Sequence, residues 1–66
     1  MRFLTYNVRD DDLAYGERIH INPNFVASIM DMDSGRAMII MSDGSTYWVQ
    51  ESASSVKTDV ESALYN

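Results

Sequence analysis

The 66-residue chain carries ten acidic against five basic side chains, a formal charge of −5, and no cysteine. The lack of cysteine rules out disulfides and thiolate metal sites, and the one histidine, His20, has no carboxylates at a spacing that would complete a metal centre, so no cofactor is expected. The scattered cations Arg2, Arg9, Arg18, Arg36 and Lys57 do not make the basic stripe that nucleic-acid binding requires. No apolar run approaches the roughly 18 residues of a membrane span, and the N-terminus lacks a basic-then-apolar leader. The expectation is a cytoplasmic protein with no membrane contact and a single domain over residues 1–66.

The first predicted element is a strand in "RFLTYNV", where aromatic and β-branched residues alternate. The polar stretch "RDDDLAYG", ending in Gly16, reads as a loop. In "ERIHINP", Ile19 and Ile21 alternate with Arg18 and His20 in a short half-buried strand stopped by Asn22-Pro23. "NFVASIMDMD" begins as a tight turn or short 3₁₀ segment and continues as a strand. Two turns follow, at Ser34-Gly35 and Asp43-Gly44, and the second is read as a two-residue type I′ hairpin loop. After "STYWVQE" the period changes, with Val56, Val60, Ala63 and Leu64 on one face of a C-terminal helix that Ser52 or Ser54 can cap. The fold class is α+β: a small antiparallel β-meander of about five strands with one C-terminal helix.

Both faces of the predicted central hairpin are apolar. With a two-residue loop at Asp43-Gly44, Ile40 faces Tyr47, Ile39 faces Trp48 and Met38 faces Val49. The same logic at Ser34-Gly35 puts Ile29 on the first face and Met30 and Met32 on the second. One helix stripe covers one face, taken as that of Ile29, Met38, Ile40, Tyr47 and Val49. The other, with Met30, Met32, Ile39, Met41 and Trp48, is then either closed over by the N-terminal strands as a small barrel or left as an oligomer interface. Adaptable methionines beside a tryptophan suit the second role, most simply in a homodimer.

The string "INPNFVASIMDMDSGRAMIIMSDGSTYWVQESASSVKTDVESAL" resembles the small swarming-motility proteins of the FlbD/SwrD type. The resemblance rests on Ile21-Asn22, Val26 and Ile29, Ile40, Gly44, Tyr47, Val49, Glu51-Ser52, Val56 and Val60, and spans residues 21–64. It implies a non-enzymatic protein linked to flagellar motor output, built from a hairpin and a short amphipathic helix. A weaker likeness, to the last hairpin and helix of LytTR DNA-binding domains, would call for a longer and more basic chain.

No catalytic constellation emerges. Asp10-Asp11-Asp12 lacks the spaced ligands, central glycine and terminal glutamate of a calcium hand, His20 has no evident nucleophile or carboxylate partner, and no G-x-S-x-G elbow surrounds Ser52, Ser54 or Ser55. The expected function is therefore a non-enzymatic, self-associating interaction module that binds another protein and modulates or inhibits it. Met30, Met32, Ile39, Met41 and Trp48 are expected at the homomeric contact. Asp10, Asp11, Asp12 and Tyr15, in the acidic "VRDDDLAYGER", are expected to engage a basic partner. Two alternatives are an oligomer sequestering a small nucleotide-like ligand between subunits, and the motility regulator that the resemblance implies.

Overall fold

The computed structural model describes residues 3–8, 17–32 and 35–65. Its elements are β1 (Leu4–Asn7), β2 (Arg18–Ile21), a 3₁₀ turn at Pro23–Phe25, β3 (Val26–Asp31), β4 (Ala37–Met41), β5 (Thr46–Val49) and the helix α1 (Ala53–Tyr65). The five strands pair antiparallel in two sheets, a ribbon β1-β2 and a three-stranded sheet β3-β4-β5. The fold is α+β.

Local chemistry explains where the elements begin and end. The Asn22 side chain accepts from the Asn24 amide at 3.0 Å, and the buried Pro23 starts the 3₁₀ turn with a fixed φ and no amide left unpaired. Ser52 caps α1: its hydroxyl accepts from the Ser55 amide at 3.2 Å while its carbonyl accepts from the Val56 amide at 3.0 Å.

The hairpin turns decide the architecture. Between β4 and β5 the Gly44 amide donates to the Met41 carbonyl at 3.0 Å, and the Met41 amide donates to the Ser45 carbonyl at 2.8 Å. The loop is thus Ser42-Asp43-Gly44, a turn followed by a glycine at φ +92, one residue longer than the two-residue loop expected from the sequence. Three-residue loops of this form place glycine at the left-handed position that a side chain would strain. The β3–β4 connection is also longer by one, since the Met32 amide donates to the Arg36 carbonyl at 2.9 Å, with Gly35 at φ +78.

Each extra residue shifts β4 by one against a neighbour, and a one-residue shift moves every side chain to the opposite face. Ile39 therefore stands opposite Ile29 and Tyr47, while Met38 stands opposite Met30 and Trp48. The expected face assignment is corrected for β4 alone: Ala37, Ile39 and Met41 point into the core, and Met38 and Ile40 point away from it. Because both turns shift β4 in the same sense, Ile29, Tyr47 and Val49 remain on the inner side, and Met30 and Trp48 on the outer.

The core gathers Leu4, Tyr6 and Ile21 from the ribbon, Ala37, Ile39, Met41 and Val49 from the sheet, and Ala53 and Val56 from α1. Val60 and Ala63 extend the helix stripe over it. The ribbon reaches the sheet at one end, through a Val8–Val49 bridge and the Gln50 amide donating to the Asn7 carbonyl at 3.0 Å. Ribbon and helix thus cover the same, inner face.

Candidate interaction surface

The outer face of the three-stranded sheet carries Met30, Met38 and Trp48 in one cross-strand row and Ser28, Ile40 and Thr46 in the next. None of these six bears a charge. Met30 is 45% exposed and Trp48 40% exposed, while Met38 and Ile40 are half-buried. Directly opposed side chains in neighbouring strands pack against one another, so the methionine–methionine–tryptophan row forms a continuous apolar strip.

The residues expected at the homomeric contact therefore separate. Met30 and Trp48 are on this face, and Met32, half-buried just beyond β3, follows the same alternation. Ile39 and Met41 are not: Ile39 is fully enclosed and Met41 nearly so, both in the core. Their expected places are taken by Met38 and Ile40. The signal that locates these two is the "SDGS" motif, in which glycine at the third loop position specifies the longer turn. Asp10, Asp11, Asp12 and Tyr15 lie outside the described residues.

A second feature lies at the hairpin end, a cleft of about 400 Å³ between the 3₁₀ turn and the β4–β5 loop. Its walls are apolar, formed by Ile21, Phe25, Met41 and Tyr47, and Phe25 is 56% exposed. Its rim is polar, with His20, Asn22, Ser42 and Asp43. The Asp43 carboxylate accepts from the Ser45 amide at 2.9 Å, and this bond, reinforced by the Ser45 side chain, holds its carboxyl below the usual carboxylate range. His20 Nδ1 lies 2.9 Å from Thr5 Oγ1, which binds the β2 side of the rim to β1.

Two polar contacts fasten the ribbon. The Glu51 carboxylate receives the Asn7 amide at 3.3 Å on each oxygen and Asn7 Nδ2 at 3.1 Å. The hydroxyl of the largely buried Tyr6 donates to Asp59 of α1 at 2.9 Å. Burial first, and then this bond to Asp59, push the Tyr6 phenol far up from its ordinary value. Among the described residues no three His, Cys, Asp or Glu side chains converge as metal ligands, and no helix is long and apolar enough to cross a membrane.

No protein-family model, curated protein or solved structure matches this chain.

Proposed function

We propose that the chain is a small non-enzymatic interaction module of the cytoplasm, which pairs with a second copy through the outer sheet face and modulates another protein by binding it. The observation that carries this reading is the uncharged strip Met30–Met38–Trp48 on a chain of net charge −5. Two copies of so acidic a molecule repel except where they meet without charge, and this strip offers both that neutrality and an apolar centre. A single two-fold contact suits it, since the same strip then faces itself. The absence of cysteine agrees with a reducing compartment.

Light scattering tests the pairing. The wild-type protein is expected at twice the 7.5 kDa chain mass. Met30→Ser with Trp48→Ser should give the single-chain mass with an unchanged circular dichroism spectrum. A wild-type protein that stays monomeric at high concentration overturns the reading.

A further inference from the structure

We infer that the cleft at the closed end of the β4–β5 hairpin is a receptor for an arginine side chain presented by a basic partner protein. This deepens the reading of the chain as an interaction module and places partner binding away from the outer sheet face. At about 400 Å³ the cleft falls in the range of roughly 300–1,000 Å³ typical of ligand pockets. Its composition selects the ligand.

Phe25, 56% exposed, and Tyr47 line the cleft together. Aromatic faces attract cations, and a flat guanidinium stacks on them where a compact ammonium cannot. Asp43 supplies the opposite charge. Its carboxylate is oriented by the Ser45 amide at 2.9 Å, a bond that also holds its carboxyl below the usual carboxylate range, and a preset anion matches the fork of guanidinium N–H groups. Among the described residues no lysine or arginine lines the cleft to neutralise it. Met41 at the base provides an apolar bed for the methylene stem of the incoming side chain. The net charge of −5 steers a basic partner toward the molecule at longer range.

The test is a titration of backbone amide resonances with N-acetyl-arginine amide and with the corresponding citrulline amide, which keeps the shape and loses the charge. Arginine amide should produce saturable shifts at Phe25, Ser42, Asp43 and Ser45, with affinity roughly in the millimolar range, and citrulline should bind about fivefold or more weakly. Asp43→Asn keeps an oxygen for the Ser45 amide, so the turn survives, and it should reduce arginine binding to the citrulline level. Phe25→Ala should weaken arginine binding about threefold or more. Equal binding of the two probes, an Asp43→Asn protein that titrates like the wild type, or shifts confined to other parts of the chain would each overturn the inference. Trp48→Ser separates it from the pairing: a monomeric variant that still binds arginine supports both readings. A variant that remains paired removes the outer-face contact and leaves the cleft standing.

Discussion

The two faces of the β3-β4-β5 sheet both carry large apolar side chains and have opposite fates. Inside are Val26, Ile29, Ala37, Ile39, Met41, Tyr47 and Val49; outside are Met30, Met38, Ile40 and Trp48. Ile39 and Val49 are fully enclosed, whereas Met30 and Trp48 are among the most exposed large side chains. Hydrophobicity does not separate the two sets. Strand parity does, and parity here is fixed by the lengths of two turns.

The adjacent isoleucines of β4 offer the sharpest way to break this comparison. Ile39 is enclosed by ribbon, helix and sheet, so Ile39→Ala removes packed atoms and leaves a cavity at a cost of about 2–5 kcal/mol. In a 66-residue chain with the small margin usual for its size, that approaches complete unfolding. Ile40→Ala, one residue along and half-buried on the other face, should cost under about 1 kcal/mol in the isolated chain. Urea unfolding of the two variants, measured at concentrations where chains do not associate, checks the contrast. Equal losses would mean that the outer face is as well packed as the inner one.

The turn itself comes next in size. Gly44 has φ +92, and a Cβ there would meet no atom within 4 Å, so Gly44→Ala incurs backbone strain without a steric clash. The expected loss is about 1–2 kcal/mol, seen as a lower urea midpoint with the slope unchanged. A near-neutral variant would show that the loop relaxes out of its left-handed conformation, and the register assigned to β4 would then need another anchor.

Much of this architecture could be read from the chain. The alternation in "LTYN" and "RIHI", the Asn22-Pro23 stop, glycine at both hairpin turns and Ser52 before the helix each correspond to a local interaction. The facing of β4 could not be read, because "AMIIM" is apolar at all five positions and carries no period of two. Its parity came only from loop length. One more residue at each turn than expected inverts β4 and leaves the facing of β3 and β5 unchanged, so Met30 and Trp48 lie on the outer face while Ile39 and Met41 lie in the core. The cleft eluded sequence reasoning for another reason: Phe25 and Tyr47 are 22 positions apart, and only the fold of the 3₁₀ turn against the hairpin brings them together.

The smallest predicted effect probes what the inner face has and, among the described residues, the outer face does not share, a covering layer tied down by the polar contacts of Tyr6 and Asn7. The part-buried Tyr6 hydroxyl joins β1 to α1 through Asp59, so Tyr6→Phe should cost about 0.5–1.5 kcal/mol at neutral pH. It should also leave a signature in alkali. The folded chain holds the Tyr6 proton far more tightly than an ordinary phenol, because burial and the neighbouring carboxylates of Asp59 and Glu51 disfavour the phenolate. Below about pH 10, the usual tyrosine value, folded and unfolded chains both keep the proton, and the contribution of Tyr6 is fully present. Above it the unfolded chain releases the proton and the folded chain retains it, so stability falls as pH rises, by up to about 1.4 kcal/mol per pH unit. Tyr6→Phe removes this term, and its stability should decline less steeply than that of the wild type above pH 10. Parallel alkaline profiles would mean that the ribbon does not seal Tyr6 against the helix, and the contrast between a covered and an open face would lose its physical basis.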